Sequence, residues 1–329
     1  MTEEERTKIL GKPVTPELYY RLDDYKYSDV PKDRVLSGIN DLDYCTKGFE
    51  MGCITIWTGF TNAGKTTVMT MLAKKTIDQG ERIFFFNGEQ TKEDFKNNLY
   101  LQAVTSKDIV QKQYRNSCVF DTFVRQEKAI ELEKMYGNKI YIYNNEVKKD
   151  INTLLYAMEE VRKTQKIRVF FLDNFMQIDL SSENIYQEQT DIMEKLRTFA
   201  VNKKVHIHLV VHPRKTERFQ TRLSLYDIAG SSNIVNKAYN IVSILRVDNI
   251  KEDTPDYKRL KEELLKERYS IEDVSTVLEV LKTKGNRCGL IGLQYEKEIK
   301  TYKPVAKMTE ERYEKVKFSQ GGKKEECPF

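Results

Sequence analysis

Hydrophobic residues in this chain gather into short continuous runs. Between the runs lie longer stretches in which apolar and charged positions mix at helical spacing. The runs CITIWTGF (53–60), RIFFFNG (82–88), KIYIYNN (139–145), RVFFLDNF (168–175), HIHLVVH (206–212) and NIVSILRV (240–247) are β-branched or aromatic and read as strands. The stretches 65–80 (ended by Gly80), 92–104, 120–136, 151–165 and 185–203 read as helices. Strands alternating with helices, several of them apolar at every position, predict an α/β fold. Its central sheet should be mostly parallel and covered by helices on both faces.

The flanks differ from this core. Residues 1–35 are polar and Tyr-rich, punctuated by Pro13, Pro16 and Pro31. They read as an arm with one short amphipathic helix over 16–26. Residues 251–273 are densely charged and read as a surface helical insertion between two strands. TVLEVLKTK (276–284) and GLIGLQYEK (289–297) read as a hairpin, and the tail from 306 to 329 as loose chain. A core of single-domain size thus spans 36–305, with no internal repeat.

Composition changes this picture little. Hydrophobic residues make up 40% of the 329, enough for a sizeable core, while 32% charged residues fit long solvated helices. The net charge of +5 is mild and identifies no partner by itself. Five scattered cysteines without CxxC spacing argue against a disulfide framework or zinc site and for a reducing compartment. The N-terminus lacks the apolar segment of a secretory signal, and no apolar run approaches the roughly 18 residues that span a bilayer. A cytoplasmic protein without a membrane partner is expected, or one of an organellar matrix after processing.

The chemistry concentrates at strand ends. Gly59-Phe-Thr61-Asn62-Ala63-Gly64-Lys65-Thr66 fits G-x-x-x-x-G-K-[ST], follows a predicted strand and opens a predicted helix. The glycines let backbone N–H groups curl toward phosphate oxygens at a helix N-terminus. Lys65 brings charge to the β- and γ-phosphates, Thr66 offers a hydroxyl to Mg²⁺, and Thr67 completes the loop's contact set. ATP or another nucleoside triphosphate with Mg²⁺ is therefore the expected ligand. Asp173 ends an apolar strand and suits a Mg²⁺-side carboxylate, the plainer alternative being a helix N-cap or loop Asp.

Other strand-end residues admit two readings each. Glu89 is either a base for the attacking water or an acidic residue favoured at the start of the helix near Lys92. His212 is either a γ-phosphate sensor or a polar strand terminator. His206 and His208 alternate with apolar residues on one side of their strand, and no metal site is read there. Arg214, Lys215, Arg218 and Arg222, followed by Asp227-Ile-Ala-Gly230-Ser231-Ser232-Asn233, suit a loop gripping a phosphodiester backbone, or a solvated surface loop. The turn Lys282–Arg287 is either surface decoration or the carrier of an arginine finger.

In order, DRVLSGINDLDYCTKGFEMGCITIWTG, GFTNAGKTT, FFFNGEQ, VFFLDNFMQID, LVVHPRK and IAGSSNIVNKAYNIVSIL resemble the ATPase domain of the DnaB-like hexameric replicative helicases, over roughly residues 35–300. The HPRK stretch and the Gly-Ser-x-x segment look closer to Twinkle than to bacterial DnaB. The resemblance implies a RecA-like core in which Lys65 and Thr66 bind phosphate and Mg²⁺. It makes Glu89 the catalytic base, Asp173 the Mg²⁺ carboxylate, His212 the γ-phosphate sensor and Arg287 a finger acting on a neighbouring subunit.

It further implies a homo-hexameric ring with single-stranded DNA on the Gly230–Asn233 loop, primase and other replication proteins as partners, and 5′→3′ movement. Two features depart from the family pattern. Lys284 stands three positions before Arg287, where a basic residue one or two before it is usual, and the 251–273 insertion is additional. Rival readings are a RecA- or KaiC-like ATPase that does not unwind DNA, and a non-catalytic helicase-like accessory.

Overall fold

The computed structural model describes residues 29–115, 117–180, 184–214, 221–228 and 232–319. The chain divides into Met1–Lys32 and Asp33–Phe329, and the fold below belongs to the second unit. The helix expected over 16–26 lies outside the described residues.

The chain begins with β1 (Arg34–Val35), α1 (Asn40–Thr46) and β2 (Phe49–Glu50), β1 and β2 forming a small antiparallel pair. There follow β3 (Ile54–Thr58), α2 (Lys65–Asp78), β4 (Ile83–Asn87), α3 (Lys92–Leu101), β5 (Ile109–Gln113), β6 (Phe120–Val124), α4 (Gln126–Tyr136) and β7 (Ile140–Ile142). Next come α5 (Ile151–Gln165), β8 (Val169–Asp173), α6 (Ile185–Lys203), β9 (His206–Val210), α7 (Ser232–Lys237) and β10 (Asn240–Arg246). The chain closes with α8 (Pro255–Lys266), β11 (Thr276–Lys282), β12 (Gly289–Glu296), β13 (Thr301–Pro304) and α9 (Glu310–Ser319).

Nine strands make one sheet in the order β13-β12-β11-β10-β3-β9-β8-β4-β7. Six of them, β10 through β7, run parallel; β11, β12 and β13 pair antiparallel to their neighbours. The apolar runs are continuous because both faces are buried. Phe85 and Phe171 belong to one core with Val68 and Leu72 of α2, whereas Phe84, Phe86, Phe170 and Leu172 belong to the other with Leu154 and Leu196. The parallel strands all deliver their last residues to one edge, the carboxyl edge. Since β11 reverses direction, β12 returns toward that same edge, and Leu293 pairs with Thr276, itself beside Arg246.

Three expectations need correction. The stretch 120–136 is not one helix: Phe120–Val124 pairs with Ile109–Gln113 as a hairpin, and the helix starts at Gln126. The alternating aromatics and Thr of FDTFV favour a pleated strand over a helix. Helix α3 stops at Leu101, three residues early, and Thr105 then caps a short 3₁₀ turn. The tail carries α9 at Glu310–Ser319. The 251–273 insertion is helical and lies between two strands, as expected, and it also seats a third core, in which Leu260 and Leu264 of α8 are fully buried with Leu245, Val277 and Leu290.

Candidate active site

The loop between β3 and α2 is shaped by close approach. A Cβ on Gly59 would stand 2.7 Å from the Ile244 carbonyl oxygen. Gly64 has φ +89°, and its Cβ would stand 2.1 Å from the Tyr302 hydroxyl. Only glycine meets both demands at position 64. Asn62 also adopts positive φ, a conformation that Asn tolerates better than most residues. Lys65 folds back over the loop, its Nζ donating to the carbonyls of Gly59 and Phe60 at 2.9 Å each.

A cleft of about 550 Å³ opens on this loop, lined by Thr61, Asn62, Gly64, Lys65, Thr66, Thr67, Glu89, Asp173, His212, Arg246, Tyr295 and Tyr302. That volume suits a nucleotide-sized ligand. Gly59 and Ala63 lie outside this lining, and Ala63 is buried. Sheet topology explains the assembly: these residues end β3, β4, β8, β9, β10 and β12 or begin β13, all at the carboxyl edge. A crevice outside the strand ends is where open α/β sheets bind ligands.

Asp173 is 3% exposed, and burial pushes its carboxyl up to about 6, with the nearby Glu89 charge acting in the same direction. The Thr66 hydroxyl and Lys65 pull the other way. Its Oδ2 is buried with no hydrogen-bond partner. Burial also lowers the Lys65 ammonium, against Asp173 and Glu89.

Asn174, which sequence reasoning missed, joins two of the expected residues. Its Nδ2 donates to Glu89 Oε1 and lies 3.0 Å from His212 Nε2. Its Oδ1 accepts from the Met176 N–H at 2.9 Å, so the amide cannot be turned without loss of that bond. Since Nδ2 is a donor, His212 Nε2 accepts, which places the neutral ring's proton on Nδ1. Burial, followed by the charge of Lys65, lowers the His212 pKa, while Glu89 opposes the shift from 3.6 Å. The Asp173–Asn174 peptide is cis.

The remaining expected residues lie elsewhere. Pro213 bridges Ile228, and the Arg214 N–H donates to the Asp227 carbonyl at 2.6 Å, closing the base of a loop that leaves the sheet directly after His212. Lys215, Arg218, Gly230 and Ser231 lie outside the described residues; Ser232 and Asn233 open α7. Arg222 is corrected: its guanidinium reaches Glu263 at 2.6 Å and Glu279 at 2.5 Å, so its charge is neutralised inside the fold. Arg287 sits in the β11–β12 turn, beside the amino ends of β10 and β3, because Lys282 pairs with Ile241. The length of β10 separates it from its own chain's Lys65, roughly 20 Å for the steps from Asn240 to Arg246.

The donors at the cleft suit the expected metal. Thr66 and the orphaned Asp173 oxygen supply hard oxygen donors at one point, which fits Mg²⁺, an ion held by one or two protein oxygens plus phosphate and water. Among the described residues, no group of three or more His, Cys, Asp or Glu side chains could hold a metal by itself. No helix among them is long and apolar enough to cross a membrane.

Sheet, loop and cleft together define a RecA-like P-loop NTPase domain. More narrowly, the chain belongs to the family of the DnaB-like helicase C-terminal domain, whose model matches residues 35–304. Among solved structures, it is similar to one described as an ATPase domain, with TM-score 0.67, 17% identity, and coverage of 85% of this chain and 94% of that one. A DnaB-like replicative helicase, described with its interactions with primase, matches with TM-score 0.68 and 16% identity over 92% of this chain and 71% of that one. A KaiC-like protein of Pyrococcus horikoshii OT3 matches with TM-score 0.55 and 16% identity over 84% of this chain and all of that one. At these identities the structural likenesses speak to fold.

Proposed function

We propose that this chain is the motor domain of a replicative DNA helicase. In this reading it assembles as a homo-hexameric ring and hydrolyses ATP with Mg²⁺ to move on single-stranded DNA and part the duplex in the 5′→3′ sense. The observation that carries the reading is the split of its charged groups between the two edges of one sheet. Lys65, Thr66, Glu89, Asp173 and His212 share the carboxyl-edge cleft, whereas Arg287 stands at the amino edge. A head-to-tail ring brings those two edges together between subunits.

In that arrangement the loop amides and Lys65 hold the phosphates, and Thr66 and Asp173 hold Mg²⁺. The ion supplies charge neutralisation at the phosphate oxygens. Glu89 accepts a proton from the attacking water; the Asn174 amide keeps its carboxylate aimed, donating to Oε1 and leaving Oε2 to the water. His212, neutral and protonated at Nδ1, reads the γ-phosphate and passes its loss to the loop that starts at Pro213. Arg214, Lys215, Arg218 and the Gly230–Asn233 segment then hold the DNA backbone, an electrostatic grip that weakens with salt. The neighbour's Arg287 completes the charge set around the transition state. Primase and other replication proteins are the expected partners, and the cytoplasm is the expected place of action.

The test is subunit mixing. Lys65→Ala and Arg287→Ala proteins should each be inactive, and their mixture should regain part of the DNA-stimulated ATPase, because some interfaces then pair an intact Lys65 with an intact Arg287. A mixture as inactive as its components would count against a site shared between subunits. Strand displacement on a forked duplex separates this motor from a RecA- or KaiC-like ATPase that does not unwind.

A further inference from the structure

The helix of the 251–273 insertion, α8, reaches two of the regions discussed above at once. Asp256, Glu263 and Glu267 fall at i, i+7 and i+11 on α8 and its C-cap, which places them on one stripe of the helix. Asp256 accepts from the Thr221 hydroxyl. Glu263 accepts from Arg222 at 2.6 Å, and the other arm of Arg222 reaches Glu279 on β11. Glu267, roughly 16 Å further along the axis than Asp256, takes Arg287 in a two-point grip: Nη1 to Oε1 and Nη2 to Oε2, each 2.6 Å. The helix body is fixed from beneath by Leu260 and Leu264.

The turn that bears Arg287 is itself anchored. The N–H groups of Asn286 and Arg287 both donate to the Cys45 carbonyl, at 2.8 and 3.2 Å. Gly289 leaves the space for the ion pair, since a Cβ there would approach Arg287 Nη1 at 3.1 Å and Glu267 Oε1 at 3.2 Å. With the backbone held, the guanidinium points into the Glu267 carboxylate and lies over the Tyr44 ring, 5.8 Å from its centroid. The carboxylate's end-on grip engages the two Nη atoms, and Nη1 also reaches the Cys288 carbonyl at 3.3 Å. The side-on fork of Nε and Nη2 stays available for a phosphate oxygen pair.

We propose that Glu267 is the positioning residue of Arg287, and that α8 links the aim of this finger to the segment 221–227, which closes onto Pro213 beside His212. The inference rests on the reading of Arg287 as a finger. One subunit's DNA-side loop would thereby set the catalytic arm that the subunit lends to its neighbour.

The experiment uses the full chain on single-stranded DNA, with kcat and KM for ATP measured below each variant's own melting transition. Glu267→Ala should lower DNA-stimulated kcat about 10- to 100-fold, a fraction of what a finger supplies, with KM for ATP within about twofold. Glu267→Gln, which keeps the volume and one acceptor, should fall between wild type and Glu267→Ala. The double variant Glu267→Ala/Arg287→Ala should match Arg287→Ala alone, since Glu267 acts only through Arg287. Multiplying losses in the double variant, or a wild-type kcat in Glu267→Ala, overturns the positioning role. A wild-type rate in Arg287→Ala, with Lys65→Ala inactive, instead removes the finger reading and this inference with it. Glu263→Ala should cut the ratio of DNA-stimulated to DNA-free rate at least about threefold; an unchanged ratio overturns the link through α8.

Discussion

Two fully buried imidazoles set a measurable pH dependence of stability. His206 and His208 lie 4.6 Å apart among Phe49, Trp57 and Phe171, with His208 stacked on Phe171 at 4.5 Å. Trp57 Nε1 donates to His208 Nδ1 at 3.2 Å, and His206 Nδ1 lies 2.8 Å from the Glu50 carbonyl. Both Nε2 atoms are buried without partners, so a proton added to either ring gains no acceptor to offset its desolvation. Burial lowers His206 from 6.5 to about 4, and lowers His208 well below its ordinary value with the His206 charge as a further cause.

Because the unfolded chain binds these protons first, the histidines' contribution is fully present above pH 6.5 and is lost as pH falls below it. For His206 the loss reaches about 3 kcal/mol near pH 4, at about 1.4 kcal/mol per pH unit. Asp173 opposes this. Its folded value of about 6 lies above the ordinary 3.8, so its contribution to stability rises as pH falls between those values, by a similar amount. Urea titrations at pH 7.5, 6.0 and 5.0 should therefore compare wild type with His206→Gln/His208→Gln, both carrying Asp173. The variant is expected to be less stable at pH 7.5 yet to lose less stability on acidification, by several kcal/mol over the range. Parallel stability–pH lines for the two proteins would refute the argument.

Three further outcomes follow from single contacts. Asn174→Asp replaces the donor that holds Glu89 with a third carboxylate beside Asp173; single-turnover hydrolysis should slow about 100-fold while nucleotide binding, followed by fluorescence titration, changes little. Gly64→Ala should weaken nucleotide binding by more than about tenfold, and adding Tyr302→Phe should restore it only in part, because φ +89° remains costly for any Cβ, by about 1–2 kcal/mol. Leu264→Ala should cost about 2–5 kcal/mol in urea unfolding, since this side chain is fully buried; a cost below about 0.5 kcal/mol would mean that α8 seats no core.

What could be read from the sequence was what local pattern encodes. The strands ending at Thr58, Asn87, Asp173 and Val210 declare themselves by unbroken apolar runs, and α5 and α6 by their periodicity. Arg246 ends the apolar run of β10 at the same edge, but Tyr295 and Tyr302 carry no such mark. Those two reach the cleft because β11 turns the chain around and β12 brings it back, a fact of topology. Asn174 was hidden differently: it follows the expected Asp173 directly, but its amide is aimed by the Met176 N–H, a contact only the folded turn creates. Arg222 misled for a third reason. Its run of cations looks turned toward solvent, and its acidic partners stand 41 and 57 residues away.

The reversal at β11 also governs what one subunit can do alone. Had β11 run parallel to β10, the chain would have left it at the carboxyl edge, and Arg287 could have faced its own Lys65. The antiparallel pairing of Ile241 with Lys282 instead carries the turn to the amino edge, where Cys45 and Glu267 hold it. A guanidinium fixed there can serve a triphosphate only across a boundary between copies of the chain. Under the proposed reading, the dependence of hydrolysis on assembly is therefore a consequence of strand direction, and no substitution confined to the cleft should make a lone subunit fully active.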